Sequence, residues 1–544
     1  TSQDVNRQNF INAVNVTTNA QGQVVCTATP AVQAAPGGTP IADPNCVPLN
    51  LLGFNQSSPE ARAYIIAQND TYSKLVQKVF NANVGGTPFS LFGNDQAFNV
   101  GYEHREEEGS FTPSAFQQQG LGRSSPVGAL SGKYNVDEVF GEALLTLVSP
   151  VNDLKFLNRL EIFGRGRYVD NTVNGGFFSW AAGGRISPIR DITFRGNYTK
   201  SFRAPAITEL FLPISPAFSS VPDLCSPGNI NGGAAPATRN ANCTAFLTAF
   251  PNATPLDAAS ATVPSLSGGN LGLQNEVARS YTFGVIIEPR FIPGLAVTAD
   301  YLDIDISNPI SSLTVTQIAT ACFDNPNFNA ADPANGNAFC SRLQRYPSGT
   351  TRTAANGGNA AGQVVNDPAN PGVTSGFING NRVYFSGIQG TVNYSTSLTG
   401  LGIPGRFSTG TTLFYVRRRI VDNTGVAPVR TDGVVGDPKF QAQANLRYAN
   451  ETFGLSSSVN VVGQQIATRT GLSPDLREFN KYPAYATVNG SVFFNVDKQF
   501  RLNFSVTNIG NKRAFPYYGG YVPVTTNNVD LLGRRFVMSA RINY

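Results

Sequence analysis

Along much of this chain apolar and polar residues alternate one by one. In residues 191–203, Ile192, Phe194, Gly196, Tyr198 and Phe202 share one parity, and Thr193, Arg195, Asn197, Thr199, Ser201 and Arg203 share the other. Residues 439–448 set Phe440, Ala442, Ala444, Leu446 and Tyr448 against Gln441, Gln443, Asn445 and Arg447. Residues 499–508 set Phe500, Leu502, Phe504 and Val506 against Arg501, Asn503, Ser505 and Thr507. The last twelve residues set Phe536, Met538, Ala540, Ile542 and Tyr544 against Arg535, Val537, Ser539, Arg541 and Asn543. A period of two is strand spacing, because successive side chains leave a strand on opposite faces.

The pattern predicts fifteen strands: 72–84, 96–108, 133–148, 155–168, 177–187, 191–202, 278–289, 295–306, 382–396, 405–420, 437–449, 453–464, 482–496, 499–509 and 533–544. They are long against a usual strand of about five or six residues. Their connections alternate between short turns (149–154, 188–190, 290–294, 397–404, 450–452, 497–498) and long loops (110–132, 204–277, 307–381, 421–436, 465–481, 510–532). Long two-faced strands, short turns at one end and long loops at the other describe a transmembrane antiparallel β-barrel. In 295–306 the apolar parity shifts between Tyr301 and Leu302, which predicts a β-bulge. If the last strand descends to a periplasmic C-terminus, the first also descends, and residues 1–71 lie outside the cell.

Composition narrows the class. Charged residues are only 14% of 544, against 41% hydrophobic, and the net charge is +5. No apolar run is long enough for a membrane helix. No Lys/Arg block marks a nucleic-acid binder. A single His and scattered Cys make a poor zinc site, and the sequence implies no cofactor. The N-terminus opens Thr-Ser-Gln-Asp-Val, without the basic and apolar segments of a signal peptide.

The six cysteines fall into three sequential pairs, each inside a Gly/Pro/Asn/Ala-rich stretch. Fifteen connectivities are open to six cysteines. Loop context favours local bridges Cys26–Cys46, Cys225–Cys243 and Cys322–Cys340, each stabilising by about 3 kcal/mol through chain entropy. The compartment implied is oxidising.

Several segments resemble the TonB-dependent outer-membrane receptors. Arg195 to Phe211 (RGNYTKSFRAPAITELF) resembles that family's R-x-x-Y-x-x-x-F-R-A-P-x-x-x-E-L-F block. Asn270 to Glu276 (NLGLQNE), then Ser280 to Gly284 (SYTFG), resembles its N-x-x-L-x-P-E … G element, without the usual Pro. Val506 to Lys512 (VTNIGNK) resembles the end of its penultimate strand, and the chain closes on Tyr544. Cys46 to Gly53 and Val100 to Glu107 resemble a long-loop branch. The resemblance implies a 22-stranded barrel with an N-terminal plug and a TonB box. Fifteen strands then count as strands 8–22, and the chain reads as a C-terminal barrel portion: residues 1–71 an extracellular region with Cys26–Cys46, residues 72–544 the barrel wall with long loops 204–277 and 307–381. The plug, the TonB box and about seven strands would lie upstream or in another chain. Implied partners are the TonB–ExbB–ExbD complex, the plug and remaining strands, outer-membrane lipid and a small or medium-sized extracellular ligand, with no nucleic acid.

Candidate residues follow from the faces. Arg159, Glu161, Arg165 and Arg167, with Arg195, Arg203, Arg447, Arg501, Arg535 and Arg541, point inward and suggest a basic lumen that holds the plug and passes an anionic ligand. Against this stands generic lumen polarity. Phe211, Phe218, Phe246, Phe250, Phe515, Tyr517, Tyr518 and Tyr521 lie in loops, where aromatics can stack on a ligand or form an interfacial girdle and loop packing. His104 shares parity with Phe98, Val100 and Tyr102 and reads as an outward rim residue, which argues against a barrel enzyme. Glu106 to Glu108 reads as a solvated rim. Phe536, Met538, Ala540, Ile542 and Tyr544 resemble a barrel-insertion signal. The expected function is energised uptake of a scarce solute (a ferric siderophore, oligosaccharide or peptide) without chemistry of its own; the alternatives are a passive porin or adhesin, or a secreted β-rich binding protein.

Overall fold

The computed structural model describes residues 2–31, 40, 42–251, 253, 261–351, 360–367, 369–467, 469, 481–513, 517–518, 523–524 and 532–542. Fifteen strands form one antiparallel sheet in chain order: β1 (Tyr72–Leu91), β2 (Asn94–Thr112), β3 (Leu130–Val148), β4 (Arg159–Asn171), β5 (Gly175–Ile189), β6 (Ile192–Arg203), β7 (Glu276–Ile287), β8 (Leu295–Ser307), β9 (Arg382–Ser397), β10 (Arg406–Asp422), β11 (Phe440–Ala449), β12 (Phe453–Val462), β13 (Tyr485–Asn495), β14 (Phe500–Thr507) and β15 (Arg535–Ile542). Each predicted strand is present, and each pairs with its sequence neighbour. Among the described residues no helix is long and apolar enough to cross a membrane.

Three details differ from the sequence reading. First, β1 and β2 run on to a two-residue hairpin, Phe92–Gly93, with both residues at positive φ (52° and 76°). That is the type I′ geometry whose twist suits a hairpin. Gly93 suits its αL position, but Phe92 is not a usual turn residue, so the turn signal in the sequence is incomplete. Second, the connection 172–174 is short although it lies at the long-loop end, so the alternation of loop lengths is not strict. Third, β8 has no bulge: its register runs unbroken from Leu295 to Ser307 against β9 and from Val297 to Ser307 against β7. The apolar parity changes because the outward face leaves the apolar band. Above Tyr301, Asp303 and Asp305 point outward, where Tyr384 donates to Asp303 at 2.7 Å and Arg382 holds Asp305 at 2.7 and 2.9 Å.

The outward face is apolar over a band and aromatic at its edges. Near the long-loop end, Tyr102, Tyr168, Trp180, Tyr198 and Tyr281 form an upper row, with ring centroids 5.1 Å apart for Trp180–Tyr198 and 4.8 Å for Tyr198–Tyr281. Near the short turns, Tyr394, Phe407, Tyr448, Phe453 and Phe494 form a lower row: ring centroids are 6.4 Å apart for Tyr394–Phe407, 5.5 Å for Tyr448–Phe453 and 6.3 Å for Phe453–Phe494, and Phe407 is the ladder partner of Tyr448. Two aromatic rows bounding an apolar band are the interfacial girdles of a membrane barrel.

Loops 204–275 and 308–381 fold together. Their shared core contains Leu224, Phe246, Phe250, Ile318, Phe323 and Val373. Strand Ala261–Ser267 of the first loop pairs in parallel with Val373–Thr374 of the second. Disulfides Cys225–Cys243 and Cys322–Cys340 sit in this core, and Cys26–Cys46 ties the N-terminal segment. That segment pairs Ser2–Val5 with Ile66–Asn69 around Ala13, Leu49, Ala61 and Ile65. It also meets loop 113–129, where the Arg7 amide donates to the Leu121 carbonyl at 2.9 Å.

The face assignment has a direct test on adjacent residues of β7. Phe283 lies outward and 61% exposed, while Thr282 lies inward on a lumen cavity. Phe283→Arg is expected to cost about 1–3 kcal/mol in urea refolding into lipid vesicles, and Thr282→Arg less than about 1 kcal/mol. The reverse order would contradict the assignment.

Candidate functional site

From β2 to β8 most inward arginines are held in ion pairs. On β4 and β5, Glu161 is held by Arg185 and lies 3.7 Å from Arg159. Arg167 donates to Glu138 of β3, which also lies 3.6 Å from Arg105 of β2. Arg195 of β6 grips Asp300 of β8 with both arms, at 2.8 and 2.6 Å. Glu161, Arg185, Arg195 and Asp300 line a cavity of about 630 Å³ together with Phe163 and Gln389. The expected basic lumen is therefore largely neutralised at Arg159, Arg167 and Arg195. Arg165 and Arg447 form no ion pair among the described residues; Arg165 lies 5.4 Å from the Phe163 ring centroid. Arg501 donates to Asn495 at 2.7 Å and stacks on Phe493. Arg541 stands opposite Arg501 and Arg535 opposite Thr507 in the ladder. The sequence reading passed over Glu138 and Asp300: Asp300 lies between Ala299 and Tyr301, but Glu138 follows Asp137, and neither is matched to its arginine until the register is known.

Arg203 ends β6 and is the joint on which the two long loops hang. Its Nε and one amine donate to Glu276 at 2.6 and 2.8 Å, and its amines donate to Glu209 at 2.9 and 3.1 Å. Glu209 also accepts from the Ala206 amide at 2.7 Å, and Glu276 from the Ile310 amide at 2.6 Å. Glu209 opens the first loop, Glu276 closes it, and Ile310 opens the second. A guanidinium suits this role because its planar fork serves two carboxylates at once. The F-R-A-P-x-x-x-E and N-x-x-L-x-x-E blocks, 60 or more residues apart in sequence, thus meet at one cation.

The helix Ile207–Phe211 carries this joint over the inner face. Phe211 packs where a side chain at Gly132 would stand, and Ile207 packs likewise against Gly109. Both glycines lie inward on β3 and β2, so the base of the loops turns toward the lumen. Farther out, Arg239 and Asp324 form a buried two-armed pair between the loops at 2.6 and 2.8 Å. Gly233, at φ +83°, makes room for it, since a side chain there would overlap the Arg239 amine. Arg345 lies 4.9 Å from the Phe246 ring centroid and 5.3 Å from that of Phe323; burial lowers its guanidinium to about 10, so it stays charged at neutral pH. Arg239, Cys243, Phe246 and Phe250 follow the 4-3-4 spacing of one helix face, a signal that the strand reading did not use.

The loop aromatics separate by position. Phe246 and Phe250 are buried in the shared loop core, so they are packing residues and not ligand platforms. Phe211 is partly buried at the loop base, and Phe218 is exposed. Tyr517 and Tyr518 lie in a short strand pairing Pro523–Val524. Phe515, Tyr521 and Tyr544 lie outside the described residues. His104 points outward as expected, its Nδ1 2.8 Å from Asp137. Glu106 pairs outward with Lys78 and Lys133, while Glu107 turns inward to accept from Tyr134 at 2.7 Å.

A second polar hub stands in loop 423–439. Asp432 is fully buried and accepts from Arg430 at 2.7 Å, with Arg469 and Lys439 at 3.1 and 3.3 Å. Burial pushes its carboxyl up, but hydrogen bonds from Arg430 and the Arg419 amide and the charges of Arg430 and Arg469 outweigh that and hold it at about 2. Three cations thus fold this loop around one carboxylate.

The Arg203 joint is testable by hydrogen exchange. Arg203→Ala leaves Glu209 and Glu276 facing each other without a cation. Amides of 207–211 and 310–313 are expected to exchange on the order of tenfold to hundredfold faster, with β4 and β5 unchanged. Unchanged exchange in both loop stems would refute the joint.

Comparison with known proteins agrees with this architecture. Residues 48–509 match the family described as TonB dependent receptor-like, beta-barrel. Solved structures of similar fold include the siderophore receptor PirA from Acinetobacter baumannii (13% identity, TM-score 0.53, 87% of this chain and 55% of that one). Another is a ferric enterobactin receptor (PfeA) mutant from Pseudomonas aeruginosa in complex with enterobactin (14% identity, TM-score 0.53, 89% and 56%). The chain spans just over half the length of these structures. No curated protein matches it. With the match covering most of its length, the chain belongs to the TonB-dependent receptor β-barrel family of the Gram-negative outer membrane.

Proposed function

We propose that this chain belongs to a receptor for energised uptake of a scarce solute (a ferric siderophore, an oligosaccharide or a peptide) across the outer membrane. In this reading residues 1–71 stand outside the cell and residues 72–544 supply barrel wall and long loops. A plug fills the lumen against the ion-paired wall, and TonB–ExbB–ExbD supplies the energy. Strand β15, with Phe536, Met538, Ala540 and Ile542 outward, serves membrane insertion. The chain performs no covalent chemistry.

The observation that carries the reading, beside the family, is the inward turn of the loop base. Ile207 and Phe211 press on the lumen side of β2 and β3, and two loops of roughly seventy residues share one core above them. A passive pore works with an open mouth. A receptor needs a surface that holds its ligand until energy arrives.

The test uses the full-length protein. In planar bilayers it is expected to be nearly silent, and in cells, uptake of a labelled solute should stop when TonB is deleted or the proton gradient collapsed. Steady conductance with TonB-independent uptake would overturn the proposal in favour of a passive porin.

A further inference from the structure

Two cations stand side by side on the outward face, where the apolar register would place apolar residues. On β6 the outward parity reads Phe194, Gly196, Tyr198, Lys200, Phe202; on β7 it reads Val285, Phe283, Tyr281, Arg279, Val277. Lys200 and Arg279 are direct cross-strand partners. Like charges directly opposite one another on a sheet are destabilising.

Among the described residues no carboxylate is in ion-pair contact with either of them, and Arg279 is exposed. On the β5 side Lys200 faces Trp180. On the β8 side Arg279 faces Asp305, but both oxygens of Asp305 are held by Arg382. The next acid, Asp303, accepts from Tyr384 and Tyr301.

The height of the pair decides what could meet it. Lys200 and Arg279 lie two residues beyond Tyr198 and Tyr281, the upper aromatic row, which is about 7 Å along the strands. Aromatic rows mark the boundary between lipid tails and headgroups. The pair therefore stands at headgroup level on the lipid-facing wall, with Tyr198 and Tyr281 as an apolar platform beneath it and Trp180 beside Lys200. Two adjacent cations over such a platform match one ligand chemistry, a phosphate group on an acylated lipid.

We propose that Lys200 and Arg279 form a binding site for the phosphate of an outer-leaflet lipid, seated on the aromatic row of β5–β7. The phosphate bridges the two cations and turns an unfavourable pair into an annular lipid anchor.

The test compares the full-length protein with Lys200→Gln/Arg279→Gln, and with Lys155→Gln at the short-turn end as control. Each is held in phosphate-free detergent micelles carrying lipid A or its dephosphorylated form, and retained lipid is counted by native mass spectrometry. The protein and Lys155→Gln are expected to retain lipid A, the double variant on the order of tenfold less, and none to retain the dephosphorylated lipid. Millimolar inorganic phosphate should leave lipid A in place. Equal retention by the double variant, or equal retention of dephosphorylated lipid, would overturn the site; displacement by inorganic phosphate would make it a free-anion site and overturn the lipid assignment. If the double variant fails to fold, Arg279→Gln alone decides by sign. Its melting temperature should rise in phosphate-free detergent, where repulsion is relieved, and fall with lipid A present; no such reversal would refute the proposal.

Discussion

A strand crossing a membrane has no water to satisfy its backbone, so every amide and carbonyl must find its partner on the next strand. That constraint fixes the ladder, and the ladder fixes the faces. Along β8 the register holds against both neighbours from Val297 to Ser307, so the side of each side chain follows from its number alone. Phe283 and Thr282 are adjacent in sequence and belong to different solvents. The outward face can then be apolar between two aromatic rows, and the inner face can carry charge at the same height. Many inner charges are matched in pairs such as Arg195–Asp300 and Arg167–Glu138, which lowers the positive charge of the inner face.

The loops are built by a different rule. They have no lipid to face and must make their own core. Neither long loop does this alone: Phe246 of the first packs on Phe323 of the second, and Arg239 of the first is neutralised by Asp324 of the second. A buried pair of this kind contributes specificity more than stability, since it disfavours any docking that leaves either charge unpaired. Arg203 then fastens the combined structure to the wall through Glu209 and Glu276. The motifs that mark the family are, in this chain, the parts of that fastening.

The wall was legible in sequence because period-two alternation over many residues has one physical meaning. The misread places are those where the environment changes along a strand. At Tyr301–Leu302 the apolar parity switches because the strand leaves the lipid, and a rule tied to one environment takes that for a bulge. At Phe92–Gly93 a tertiary hairpin forces an αL conformation on a residue that does not advertise it. The site was half legible. The inward arginines were found by parity, whereas their carboxylates Glu138 and Asp300 come from other strands and are identified only once register is known. The loop core was hidden because its helices are short and its contacts are distant in sequence, 85 residues between Arg239 and Asp324.

The claim that the apolar face meets lipid can be tested without redesigning the wall. The chain contains one tryptophan, Trp180, outward in the upper aromatic row and 38% exposed. The measurement is the fluorescence of the full-length protein in vesicles of brominated phosphatidylcholine, taking the part of the emission that Trp180→Phe removes. That component should be blue-shifted, strongly quenched by bromine placed near the headgroups, and insensitive to aqueous acrylamide. A red-shifted component quenched by acrylamide and untouched by bromine would contradict the membrane assignment of the whole outward face.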